Sequence, residues 1–201
     1  MTVPMDDSGT WQPIDLIAAI WGLWVVSWGI AAVWSGRTEA RPMAGSQVLY
    51  RVVTAAGVLA LFSQQRWVGS DAPGLERLWD PPAALSGAMV VLAAMGFGFC
   101  WWARLHLGRL WSSSVTRKQD HHIVDTGPYA LVRHPIYTGI IVASIAAAVT
   151  QGTVAALVGV GLITMGCWIK ARLEEQFLRA ELGAETYDAY AAHTGMLFPF
   201  L

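Results

Sequence analysis

Charge is what this sequence has least of. Asp, Glu, Lys and Arg make up 13% of its 201 residues, against 55% hydrophobic residues; an ordinary soluble domain carries about 25% charged residues. That shortage excludes a typical water-soluble domain and points to a chain whose solvent is partly lipid. The formal net charge of -1 lacks the basic bias that would attract a nucleic acid. Cysteine is scarce as well. Cys100 and Cys167 both sit in apolar runs, which leaves no disulfide framework and no C-x-x-C zinc pattern, and both read as core thiols. The first fifteen residues hold Asp6, Asp7 and Asp15 but no Lys or Arg, the reverse of a secretory n-region. Gly96-Phe97-Gly98 and Gly159-Val160-Gly161 have no strand before them and are not dinucleotide fingerprints; such small residues let helices approach closely. His121-His122 has no partner pair at ligand spacing, so no metal site is expected.

Long apolar runs are what the chain has in abundance. Leu16–Trp34 is 19 residues without a charge and Ile136–Ile169 is 34. The first reads as a permanent span. The second is too long for one span of about 20 residues and must fold back. Gln151-Gly152, flanked by threonines, supplies the turn, which predicts a tight hairpin of two short helices. The expected fold is an all-α integral membrane protein forming one domain over 1–201, with five transmembrane helices at about 14–34, 46–63, 83–103, 136–150 and 153–169. With five spans, eleven of the thirteen Lys and Arg fall on one side of the membrane. The positive-inside rule makes that side the cytoplasm, with the N-terminus outside and the C-terminus inside. The Ala-, Gly- and Trp-rich composition suggests a bacterial inner membrane. Trp101, Trp102 and Trp111 near the inner edge, and Trp67 and Trp79 near the outer one, suit interfacial belts.

Two polar segments interrupt this pattern on the same side. The loop 104–135 is longer than a bundle connection needs, and its Trp111, Ile123, Val124, Tyr129, Leu131 and Val132 are not the composition of disorder. Within it, Gly127-Pro128 marks a turn. Pro135 suits the first turn of a helix and holds His134 outside it. Arg133 and His134 then lie just beyond a helix N-terminus, whose free N–H groups and dipole favour an anion. Ordinary anchoring explains each residue singly; the combination R-H-P-x-Y after G-P-Y is less ordinary. The other segment is the tail, where ARLEEQFLRAEL predicts a helix with Leu173, Phe177 and Leu178 on one face, followed by a short helix at 185–193. Glu174 and Glu175 lie about one turn past the fifth span, with Lys170 four residues before Glu174 and on its face. The hairpin would bring both segments to one end, with Arg133, His134 and Tyr137 on one wall of a pocket and Glu174 on the other.

These residues are where the chain resembles a known family, the membrane methyltransferases that include isoprenylcysteine carboxyl methyltransferase, with phosphatidylethanolamine N-methyltransferase as a more distant relative. The resemblance covers about the last half: HHIVDTGPYALVRHPIYTG (121–139), RLEEQFLRAELG (172–183), the Tyr187 and Tyr190 pair, and LFPF (197–200). It implies an all-helical fold that binds S-adenosylmethionine without a Rossmann sheet. By position it implies a cofactor pocket lined by His121, Ile123, Val124, Tyr129, His134, Pro135 and Tyr137 and completed by Glu174. The family's eukaryotic members place an arginine one turn before that glutamate to meet the acceptor's carboxylate; here the position is Lys170, with Arg172 close by. Their cofactor-binding glutamine seven residues before His121 is Ser114 here.

The expected reaction is transfer of a methyl group from S-adenosylmethionine to a lipophilic acceptor, with an isoprenylcysteine-like carboxylate first in line. Such a transfer neutralises opposite charges and requires alignment and desolvation rather than a general base. Lys170, Arg172 and Arg133 are the expected catalytic cations: Lys170 or Arg172 steers an anionic acceptor that arrives from the bilayer, and Arg133, with His134 and the helix N-terminus, holds the cofactor's carboxylate. N- or S-methylation of a phospholipid amine or small thiol keeps the enzyme class. A small transporter or membrane subunit, or a reductase-like fold using a nicotinamide cofactor, would not.

Overall fold

The computed structural model describes residues 12–33, 38–40, 44–63, 76–108, 111, 117–118 and 123–199. Among them are six α-helices: α1 Pro13–Ala31, α2 Ala44–Phe62, α3 Ala83–Leu107, α4 Pro135–Gln151, α5 Val154–Leu182 and α6 Ala184–Ala191, with a 3-10 turn at Gly127–Ala130 before α4. A small antiparallel pairing, β1 Thr38–Ala40 with β2 Arg117–Lys118, is the one departure from the all-α expectation. α1, α3 and α5 are long and apolar enough to cross a membrane, while α2 and α4 are shorter apolar helices. Large aliphatic side chains point outward, Leu23 at 71% exposure and Ile30 at 70%. An apolar exterior on that scale suits hydrocarbon and not water, and the chain is an integral membrane protein.

Local chemistry fixes the hairpin. Pro135 is the first residue of α4, where its missing N–H costs nothing. α4 ends at Gly152, whose φ of 65° is left-handed, the conformation glycine adopts without a Cβ penalty. Thr153 then caps α5, its hydroxyl accepting from the Ala156 N–H at 3.2 Å. The sequence reading ends the fifth span at Ile169 and starts a separate tail helix. Instead α5 runs unbroken to Leu182, because no Gly or Pro interrupts 170–182 and Ala, Arg, Leu, Glu and Gln all favour helix.

Two close helix crossings assemble the bundle. α3 meets α4 where Gly96 faces Gly139: a Cβ on Gly96 would stand 2.7 Å from the Gly139 carbonyl oxygen, and one on Gly139 would stand 2.5 Å from Cys100 Sγ. α2 meets α5 where Gly57 faces Gly159 and Ile163; a Cβ on Gly159 would stand 2.6 Å from the Leu61 nitrogen. Without a hydrophobic drive between helices in lipid, such close contact is a main source of attraction. α1 is added by aromatic packing. Trp21, Trp24 and Trp28, on one helical face, meet Phe97 and Trp101 of α3, with centroids at 4.9 Å for Trp21–Phe97, 4.7 Å for Trp24–Phe97 and 5.6 Å for Trp28–Trp101. Each such pair contributes about 0.5–1.5 kcal/mol beyond its area.

Arg104 closes the end of this seam. It is fully buried, donating to the Ala31 carbonyl at 2.9 Å and the Gly108 carbonyl at 2.6 Å, with its guanidinium over Trp111 at 4.4 Å. One cation thus satisfies carbonyls at the C-terminal ends of both α1 and α3, where cations are favoured. Trp111 is consequently buried beneath it and is not a member of an exposed belt; Trp67 lies outside the described residues.

Gly139→Ala should lower thermal stability in detergent by about 1–3 kcal/mol, the usual cost of overpacking. Gly98→Ala on the open face of α3, where a Cβ meets nothing within 4 Å, should leave the melting temperature unchanged. Equal melting of the two variants would rule out the Gly96–Gly139 crossing.

Candidate functional site

Four segments converge at the N-terminal end of α4: the 131–134 stretch, the polar end of α5, α6, and the strap 194–198. The strap runs beside the stretch, its Gly195 and Met196 carbonyls accepting from the Arg133 and His134 N–H groups at 2.8 and 3.1 Å. The Thr138 hydroxyl donates to the Leu197 carbonyl at 2.6 Å, and Leu197 enters the core.

Glu175 of α5 is the hub. It accepts from Arg133 Nε at 2.7 Å and stands 3.3 Å from His134 Nε2. The rest of the Arg133 guanidinium donates to the Ala191 carbonyl at 3.2 Å and to the Thr194 carbonyl. Arg133, expected beside His134 to hold the cofactor's carboxylate, is therefore engaged in holding α5, α6 and the strap together. Glu174 faces a different group. It accepts from the Tyr137 hydroxyl at 2.7 Å, lies 3.5 Å from His134 Nδ1, and pairs with Lys170 at 3.9 Å. His134 and Tyr137 thus meet Glu174, expected on the facing wall, with Lys170 beside it, while Arg133 turns to Glu175.

Lys170 Nζ stands 5.2 Å from the Tyr137 ring centroid and 5.6 Å from that of Tyr50 on α2. Two aromatic faces therefore flank one cation. The His134 and Tyr137 rings stack at 5.4 Å, only 11° from parallel. Arg172, two residues from Lys170, is on another side of α5, its guanidinium 5.5 Å from the Trp168 ring.

Tyr129 is buried in the 3-10 turn, and its carbonyl accepts from the Tyr190 hydroxyl at 2.8 Å. Burial pushes the Tyr190 phenol up to about 12, so it stays a neutral donor at physiological pH. His106, at the end of α3, bonds the Thr126 hydroxyl at 2.9 Å and stacks on Tyr129 at 6.4 Å. The left-handed Gly127 packs against the His106 ring, where a Cβ would stand 2.8 Å from Cε1. Pro135 is buried at the first turn of α4; Ile123 and Val124 lie half-buried in the irregular stretch before the 3-10 turn. His121 and Ser114 lie outside the described residues.

Two participants, Tyr50 and His106, are absent from the sequence reading, and a third, Glu175, stands there without a role. Tyr50 had no local signal, since it arrives from α2 across the bundle. His106 is in the last turn of a helix taken to end at 103. Glu175 was visible beside Glu174, but adjacent helical residues point about 100° apart and nothing in sequence says which faces the hub.

An all-helical membrane bundle carrying a paired-charge, aromatic-flanked site at one end is the class that fold and site define. Residues 88–180 match the model of the isoprenylcysteine carboxyl methyltransferase (ICMT) family, and over this stretch the chain is similar to those methyltransferases. The match spans most of α3, all of α4 and nearly all of α5, and so includes His134, Tyr137, Lys170, Glu174 and Glu175. No curated protein matches the chain.

Burial opposes charge on His134, but its hydrogen bonds to Glu174 and Glu175 outweigh that and raise its pKa above the ordinary 6.5. With a carboxylate at each ring nitrogen, only the imidazolium donates to both. The folded value lies above the unfolded one, so this stabilisation is complete below about pH 6.5 and is lost as pH rises through the raised value. In an NMR titration the His134 midpoint should fall above 6.5 and drop on Glu175→Gln; a midpoint at or below 6.5 in the wild type would contradict the paired arrangement.

Proposed function

We propose that the protein transfers a methyl group from S-adenosylmethionine to a lipophilic acceptor, most consistently a carboxylate of the isoprenylcysteine type. The observation that carries this reading is the Lys170 ammonium flanked by the Tyr50 and Tyr137 rings, with Glu174 at its side. Aromatic faces that already accept one cation suit a sulfonium, a carboxylate suits an ammonium, and an ammonium suits a carboxylate. The residues therefore match the charge pattern of S-adenosylmethionine, which when bound supplies a methyl group on a positively charged sulfur.

The residues divide the work. Tyr137 and Tyr129 offer aromatic faces, and Glu174 accepts hydrogen bonds from the donor's polar groups. The N-terminus of α4 favours the donor's carboxylate, and His134, held between the two glutamates, orients Glu174 beside it. Pro135 fixes where that N-terminus begins, and Ile123 and Val124 supply apolar walls. Lys170 is the cation for an anionic acceptor. Arg133 acts as a positioning residue through Glu175, while Arg172 is directed away from this group.

Depth suits the chemistry too. α4 has 17 residues, about 25 Å of helix, against about 30 Å of hydrocarbon. His134 is thus recessed into the edge of the bilayer, where a lipophilic acceptor can approach sideways and a soluble donor from the aqueous side. The concentration of Lys and Arg makes that side the cytoplasm in a five-span topology with the N-terminus outside.

S-adenosylhomocysteine should bind the detergent-purified protein at one site in calorimetric titration. Glu174→Ala should weaken it about 10- to 100-fold, as expected for loss of a charged hydrogen-bond partner worth about 1.5–3 kcal/mol. Unchanged affinity in both Glu174→Ala and His134→Ala would sink the pocket. With labelled donor, a carboxylate acceptor should give a rate nearly flat above neutrality, whereas an amine acceptor would give a rate that climbs with pH as its nitrogen deprotonates.

A further inference from the structure

A cavity of about 730 Å³ lies between α5 and the strap. Gly161, Met165 and Trp168 form its floor, Leu197 and Phe198 its opposite wall, and Arg172 its polar end. The spacing 161, 165, 168, 172 is one stripe of a helix, so the groove runs along the α5 axis. We propose that this groove binds one anionic phospholipid of the surrounding leaflet, with an acyl chain lying along the stripe and the phosphate at Arg172.

Three observations fix the occupant. Arg172 is exposed, and among the described residues its guanidinium is met only by the Trp168 ring. Arg133 also lines the groove, but Glu175 balances its charge, and no acidic residue lines the groove, so an anion is the complementary head. The cation stands beyond Ile169, the last residue of the apolar run, at the level where headgroups lie, with a tryptophan beside it as in an interfacial belt. From Gly161 to Arg172 the helix rises about 16 Å, close to the roughly 15 Å depth of one leaflet's hydrocarbon. A chain and its phosphate therefore meet the apolar stripe and the guanidinium together. The far wall is the strap whose backbone pairs with Arg133 and His134, so an occupant here also braces the segment beneath the candidate site.

Native mass spectrometry of the full-length protein in detergent, titrated with phosphatidylglycerol or phosphatidylcholine, tests this without any methyl donor, so its outcome is independent of the transfer reaction. One phosphatidylglycerol should be retained at least tenfold more strongly than phosphatidylcholine. Arg172→Gln should abolish that preference. Gly161→Leu should lose the adduct by filling the groove; a Cβ at this position meets nothing within 4 Å, so the variant should fold. Equal retention of the two lipids, undiminished retention in both variants, or a dimer that covers the groove in place of lipid would overturn the assignment.

Discussion

The shared carboxylate of Glu175 is the interaction on which the polar end of the molecule depends. It is buried, and it meets the Arg133 guanidinium and the His134 imidazole from a single helical position. A buried ion pair adds little net stability, because desolvation offsets attraction. Its effect is to specify geometry: once Glu175 is under the surface, Arg133 and His134 must come to it. Arg133 in turn gathers the carbonyls of Ala191 and Thr194. Removing one partner of such a pair costs about 3–5 kcal/mol, because the other charge stays buried alone. The arrangement is therefore hard to loosen piecemeal, and it leaves Glu174, one residue earlier and turned elsewhere, available to face Tyr137 and Lys170.

The apolar part of the bundle supplies the frame for that chemistry. Glycines set α3 against α4 and α2 against α5 at backbone contact, and the hairpin turn at Gly152 joins the two pairs. Close crossings leave little freedom to slide. The Tyr50 ring from α2 and the Tyr137 ring from α4 thus arrive on either side of Lys170 from helices separated by 72 residues of chain. The tryptophan seam on α1 and the Arg104 clamp over Trp111 do the same for the loop side, where His106 supports the turn that carries Tyr129.

Much of this is legible in the sequence wherever one residue dictates local geometry. Pro135 announces the start of α4, Gly152 its end, and the 34-residue uncharged run the hairpin between them. The approach of His134 and Tyr137 to Glu174 follows from the hairpin alone. What escapes the sequence has one of two causes. Composition hides periodicity: in α1 nearly every position is apolar, so the stripe of Trp21, Trp24 and Trp28 does not stand out, and in 170–182 the change from apolar to polar looks like a boundary although nothing breaks the helix. Tertiary distance hides partners: neither Tyr50 nor the strap carries any mark of its destination, and the choice between two neighbouring glutamates depends on a rotation that only packing decides.

The unbroken course of α5 has a mechanical consequence. Its 29 residues make a rod of about 43 Å, longer than the hydrocarbon slab of about 30 Å through which it passes. A rod without a joint cannot tilt at its buried end and stay still at its free end. When a thicker or thinner bilayer changes the inclination of such a helix, Lys170, Glu174 and Glu175 swing with it, while Tyr137 is fixed to the shorter α4. Any change in the inclination of α5 therefore reaches Lys170, Glu174 and Glu175 as one body.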